Sequence, residues 1–279
     1  MGQAIFAPLI KALPAMPSSF RVWRNLVAVL TGCHLLAACA DRVVEPPSDA
    51  LAQQQYAYFP LQIGKYVEYQ VDSVVFDFAP GGGTLRDSSR TLVREVLADT
   101  LRDLTGQLLY SVERYERRSA QDAWVLHSIG TAARTAGQAI RTEQNLRFLK
   151  MVFPMTRRSE WDGNVWIDQE REIEIAGERM RPFSNWRYEV DTIDRPAVVG
   201  AFSFDSTLLI TEADDNNVIE RRLSRVRYAK HVGMVWREQW ILDSQYCNQN
   251  PPPADCATRP WELKAERGYL LRQKVLAFN

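Results

Sequence analysis

The sequence predicts a mainly β protein: a single curved antiparallel meander sheet, half-barrel-like, with an α+β variant left open. Three observations predict it. Apolar and polar residues alternate with a period of two in successive short segments. Clusters of Gly, Pro, Asp and Asn separate those segments, as hairpin turns require. No segment keeps a long 3.6-residue apolar period, and no composition break or strong internal repeat marks a second domain.

The elements follow in order. Tyr66–Phe76 alternates, and its apolar parity slips near Asp72-Ser73, which predicts a β-bulge. Pro80–Gly83 is a turn. Thr91–Leu97 and Leu108–Tyr115 are the next strands, with Thr105-Gly106 turning into the second and Ala98–Asp103 open to a helical turn. Trp124–Ile129 follows, then Gln138–Phe153 as one long or two short strands ended by Pro154. Trp166–Ile175, Asn185–Thr192, Phe202–Thr211, Val218–Tyr228, Val235–Ser244 and Gly268–Phe278 complete the set, with Asp214–Asn217 as a hairpin turn. Phe202, Phe204, Leu208 and Ile210 share one face.

Upstream of this domain, residues 1–38 carry Lys11, Arg21 and Arg24 and no acidic residue. An apolar run from Leu26 to Ala38 follows the arginines; it suits a signal-peptide core and falls short of the ~20 residues that span a bilayer. It ends in Leu36-Ala37-Ala38-Cys39, which resembles a bacterial lipoprotein signal. That resemblance implies lipid on the Cys39 thiol, cleavage just before it, and a membrane anchor through the N-terminal lipid. Ala40 after the cysteine points to the outer membrane by the sorting rule of such lipoproteins. Met16 is an alternative start that shortens the leader. Residues 39–55, with Pro46-Pro47 and a polar remainder, read as the lipidated cysteine and a flexible tether, and 56–279 as the β-rich domain.

Charge narrows the function classes. The chain has 34 Lys+Arg and 34 Asp+Glu, and loss of the three basic leader residues leaves the remainder formally −3. There is no basic tract, so nucleic acid is not an expected partner. Of four cysteines, Cys33 leaves with the leader and Cys39 carries lipid, so Cys247 and Cys256 remain as an expected disulfide in an exported protein. So short a loop gains about 2.5–3 kcal/mol on closure. It is expected to staple the tip of a hairpin between Val235–Ser244 and a strand near Trp261–Ala265 or Gly268–Phe278.

No segment carries a nucleophile elbow, a zinc-binding His-Glu-x-x-His helix or a phosphate loop. His127 and His231 lie far apart and read as structural or exposed. Asp168, Glu170, Glu172 and Glu174 would project from one face of a strand; at i, i+2 spacing of about 6.5–7 Å they are too far apart to chelate unaided, so no metal is expected. Trp161-Asp162-Gly163-Asn164-Val165-Trp166 is the most unusual segment. Its turn aromatics plug a core, or Trp161, Asp162, Asn164 and Trp166 contact a ligand such as a sugar.

Three further segments carry a family resemblance. Tyr58-Phe-Pro-Leu-Gln-Ile-Gly-Lys-Tyr-Val-Glu-Tyr69, Phe153-Pro-Met…Trp161-Asp-Gly-Asn164 and Tyr228-Ala-Lys-His-Val-Gly-Met-Val235 resemble, in order, elements of uncharacterised cell-envelope lipoproteins of Bacteroidota type. His231 stands where that group's stretch usually has glycine. The resemblance implies an envelope lipoprotein with no assigned activity, and a half-barrel like that of periplasmic lipoprotein carriers by analogy. The expected function is a non-enzymatic binding or carrier module for an apolar ligand, a glycan or an envelope protein partner, with no catalytic residue and no cofactor. The alternatives are a structural or assembly subunit, or a hydrolase with an unrecognised site.

Overall fold

The computed structural model describes residues 49–279. The predicted leader, Cys39 and the tether up to residue 48 lie outside the described residues. Two antiparallel meanders make the sheet. The first runs β1 (Tyr66–Phe78), β2 (Thr84–Arg102), β3 (Leu108–Arg117), β4 (Val125–Arg134), β5 (Gln138–Glu143) and β6 (Leu146–Val152). The second runs β10 (Tyr188–Val199), β11 (Phe202–Asn216), β12 (Glu220–Ala229), β13 (Gly233–Asp243) and β14 (Arg267–Phe278), with β7 (Glu160–Trp161) on the outer edge of β10. β14 pairs with β13 on one side and with β1 on the other, so the order is β6-β5-β4-β3-β2-β1-β14-β13-β12-β11-β10-β7. β8 (Ile173–Ile175) and β9 (Glu178–Met180) form a separate small hairpin.

The sheet curls further than the expected half-barrel and is nearly closed. Its two outer edges meet where Leu149 N–H donates to the Gly163 carbonyl at 2.8 Å and the Trp161 indole N–H donates to the Leu149 carbonyl at 2.9 Å. A side chain at Gly163 would run into the Tyr188 ring, so only glycine lets this seam close. The turns use the chemistry the sequence advertises. Gly82 and Gly83 take positive φ between β1 and β2, and Asp103 Oδ1 accepts from the Thr105 and Gln107 amides before β3. Gln144-Asn145, both at positive φ, make a two-residue hairpin that splits 138–153 into β5 and β6.

Several expectations are corrected. Residues 166–172 are not strand; only Ile173–Ile175 is. Asp168 accepts from the Glu170 amide and closes a turn, and Glu170 and Glu172 flank Arg181, so the four carboxylates share no strand face. Ala98–Asp103 continues β2 up to Arg102 rather than forming a helical turn. The bulge in β1 sits at Glu68/Tyr69 against β14, not at Asp72-Ser73. The β11–β12 turn falls at 217–219, beyond Asp214–Asn216, because β11 runs three or more residues further than its apolar residues do. Residues 49–55, assigned to the tether, form helix α1 (Asp49–Gln55), in which Ala52 and Gln55 are buried. The Gln55 amide both donates to the Met155 carbonyl and accepts from the Met155 amide, which pins the helix to the barrel.

After α1, a 3-10 turn at Tyr56–Tyr58 and residues 59–62 close one end of the barrel. The Tyr58 hydroxyl bonds Asp194 and Ser206, Arg134 donates to the Tyr56 and Phe59 carbonyls, and the His231 amide donates to Ala57. The expected disulfide is present: Cys247–Cys256 staples the β13–β14 connection, and 261–264 of that connection is a helical turn, α2 (Trp261–Lys264). Trp261 covers Phe76, Leu242 and Leu270 on the outer face of the sheet.

Candidate functional site: a barrel chamber with an ionic floor

The main core is aromatic and aliphatic: Tyr188, Val190, Leu208, Ile210, Val226 and Ile241 are buried side by side. In phase with those inward positions, several strands carry a charge. Glu95 is on β2, Arg114 on β3, Arg141 and Glu143 on β5, Lys150 on β6, Glu212 on β11 and Arg237 on β13. They meet across the barrel, since β5 and β13 are six places apart in the sheet.

The result is one alternating chain of ion pairs. Arg114 Nη1 lies 3.4 Å from Glu95, which Arg141 Nη2 contacts at 2.7 Å. Arg141 Nε lies 3.2 Å from Glu143, too far off line for a hydrogen bond. Arg237 Nη1 donates to Glu143 at 3.4 Å, and its Nη2 lies 3.9 Å from Glu212. Glu212 is closed off by Lys150 Nζ at 3.0 Å and the Ser224 hydroxyl at 2.7 Å. At the other end Arg114 Nε donates to Glu116 at 3.1 Å, and His127 Nδ1 lies 3.7 Å beyond. Lys150 and Glu212 are almost wholly out of solvent, with 4% and 1% of their side-chain surfaces exposed.

The electrostatics follow from the pairing. Burial opposes the charge on Glu143, but the Lys150, Arg237 and Arg141 cations outweigh it and hold the carboxyl well below the usual range. Burial likewise opposes the charges on Arg141 and Arg237, and neighbouring glutamates raise both above the ordinary guanidinium value. The phenols of Tyr69, Tyr188 and Tyr228 are pushed up, chiefly by burial. At neutral pH Glu143, Arg141 and Arg237 are therefore charged and the phenols neutral. Glu143 still has 29% of its side-chain surface accessible, because it faces a cavity rather than the outside.

The ionic layer divides the interior. On the plug side is a small cavity of about 80 Å³ beneath Phe59, Pro60 and Leu61. On the other side is a chamber of about 450 Å³. Different stretches of the sheet line the two. Ala132 lines the first and His127 and Ser128 the second on β4; Tyr228 on β12 lines the first and Gln239 on β13 the second. Ile173, Glu174 and Ile175 of β8 also line the chamber, and Glu174 is exposed to solvent. The chamber lining is segregated. Phe148, Phe183 and Trp186 pack edge to face in succession, with ring centroids 5.8 and 5.6 Å apart, and form an apolar wall. The charged lining residues Glu95, Arg114, Glu116, Arg141, Glu143 and Arg237, with Gln239 and Gln273, come from β2, β3, β5, β13 and β14.

The predicted ligand segment lies elsewhere, at the barrel seam. Trp161 is half-buried with its indole N–H given to Leu149, and Asn164 is buried against Tyr188. Asp162 caps the turn by accepting from the Asn164 amide. Trp166 is exposed and lies under Arg147. The four residues are not brought to one open surface. Of the two histidines among the described residues, His127 is half-exposed and lines the chamber, and His231 is an exposed turn residue at φ 66°. Of the chamber lining, the sequence draws attention to His127 and Glu174 but not to the buried charges. The available signal was phase: Glu212 follows Leu208 and Ile210 at i+2 steps on the same face.

No protein-family model and no curated protein matches this chain.

Proposed function

We propose that the chain is a membrane-anchored cell-envelope lipoprotein whose barrel is a non-enzymatic binding module, holding a small ligand in the chamber. The chamber carries this reading: about 450 Å³ is within the range of small-molecule sites, and it combines an apolar wall with convergent polar groups. The Leu36-Ala37-Ala38-Cys39 sequence supports the anchor. The outer membrane is the proposed location, by the residue after Cys39. A simple apolar carrier fits less well, because a hydrocarbon chain against the ionic floor would strip water from charged groups and return no hydrogen bond.

Two measurements test the two halves of the proposal. Palmitate should label the full-length chain in a bacterial host and be lost in Cys39→Ser; label that persists rejects the anchor. For the chamber, Leu271→Cys should be alkylated by iodoacetamide in the folded protein, mapped by peptide mass, whereas Ile210→Cys in the closed core should be protected. Equal protection at both positions rejects an open chamber.

A further inference from the structure

We infer that the chamber's ligand is a neutral polyhydroxylated ring, a sugar unit, seated between the aromatic wall and the ionic floor; this rests on the binding-module reading above. The first argument is charge balance. Glu116, Glu95, Glu143 and Glu212 alternate with Arg114, Arg141, Arg237 and Lys150, four acids with four cations. Each cation already faces a carboxylate. A carboxylate, phosphate or ammonium ligand would have to take a partner from this chain and leave an internal charge unpaired, which is costly in so enclosed a site. Of the chain's members, Glu95, Glu116 and Glu143 with Arg114, Arg141 and Arg237 line the chamber, three acids with three cations; the remaining lining acid, Glu174, is exposed. A neutral ligand leaves every pair in place.

The second argument is the supply of hydrogen-bonding positions. The Nε atoms of Arg141 and Arg237 have no hydrogen-bond partner. Gln273 is 4% exposed, lines the chamber, and its amide nitrogen is also without a partner. Paired carboxylates keep spare lone pairs beside these donors. Donors and acceptors thus alternate at short range along the floor. A hydroxyl both donates and accepts, so vicinal hydroxyls on a ring match that alternation, whereas a hydrocarbon leaves it unsatisfied.

The third argument is the opposite wall. Phe183 and Trp186 present apolar, π-rich surface beside Phe148, whose ring already carries the Lys150 ammonium at 4.6 Å. A sugar ring has a C–H face whose weakly positive hydrogens suit the negative face of an aromatic ring. One molecule with a C–H face and a hydroxyl rim satisfies both walls at once.

The test uses the full-length chain and eight probes: glucose, galactose, mannose and N-acetylglucosamine; glucuronate and glucosamine as charged counterparts; inorganic phosphate; and oleate as the lipid control. Tryptophan fluorescence and alkylation protection of Leu271→Cys are read together. At least one neutral sugar should shift the fluorescence saturably and protect Cys at 271, with its charged counterpart weaker. Gln273→Leu should weaken that sugar by about tenfold, the loss of one hydrogen bond. Should Gln273→Leu misfold, the probe ranking on the unmodified chain decides alone. If Cys at 271 is alkylated freely and no neutral sugar protects it, or if oleate, phosphate or a charged sugar binds more tightly, the sugar inference is wrong while the open chamber stands. If Cys at 271 is never alkylated, the binding-module reading fails first.

Discussion

Lys150 and Glu212 offer the sharpest test of the internal ion chain. The two side chains are 4% and 1% exposed and 3.0 Å apart. Lys150→Met removes the cation and leaves a buried carboxylate whose remaining neighbours are the Ser224 hydroxyl at 2.7 Å and Arg237 at 3.9 Å. Breaking one side of a buried pair typically costs 3–5 kcal/mol; with Ser224 and Arg237 still in place, about 3 kcal/mol is expected. For a domain of this size that lowers the melting temperature by roughly 6–12 °C. Glu212→Leu should cost a similar amount, because it strands the Lys150 ammonium. The double variant removes both charges and should lose only about 1–2 kcal/mol, mainly from the unpaired Ser224 hydroxyl and the loosened Arg237. Equilibrium urea unfolding of the four proteins, followed by tryptophan fluorescence, supplies the numbers. A single-variant loss below about 1 kcal/mol, or a double variant as unstable as the singles summed, would refute the reasoning.

Two further predictions stand on other parts of the molecule. Glu143 is held below its unfolded-state value of about 4.3, so the stability it contributes is complete above that pH and is lost as pH falls through the acid range. The urea midpoint should therefore drop below about pH 5, and Glu143→Gln should be less stable at neutral pH with a shallower acid slope; parallel slopes for the two proteins would place the acid sensitivity elsewhere. His231 is exposed and sits at φ 66°, where glycine is the ordinary residue. Relief of that backbone strain, less glycine's entropy, should make His231→Gly more stable by about 0.5–1 kcal/mol, and a lower melting temperature would contradict this.

Much of the sheet was legible because its physics is local. Alternation along Tyr66–Phe76 and Gly268–Phe278, and the glycines after Pro80, act over a few residues. So did the pairing of Cys247 with Cys256, which composition and export context imply. The parts that were missed depend on distant partners. α1 has no apolar stripe, and what holds it is a reciprocal amide–backbone pair between Gln55 and Met155, one hundred residues away. The chamber floor was hidden for a related reason. Nothing local marks Glu143 and Arg237 as partners, and only the closing of the sheet brings β5 and β13 within reach of each other. The acidic run 168–174 failed in the other direction: alternation looked like a strand, and side-chain capping by Asp168 made a turn.

The position of β14 has a consequence for how the molecule is assembled. Among the described strands it is the last in sequence, and it is the one that joins the two meanders, with β13 on one flank and β1 on the other. Until it docks, β1 and β13 each present an open edge, and such edges recruit other chains. The Arg237–Glu143 contact spans the two meanders, so the floor cannot neutralise itself earlier either. Assembly is therefore governed by very long-range contacts, and slow closure follows from the topology itself. Nothing resembling the finished barrel can form ahead of β14.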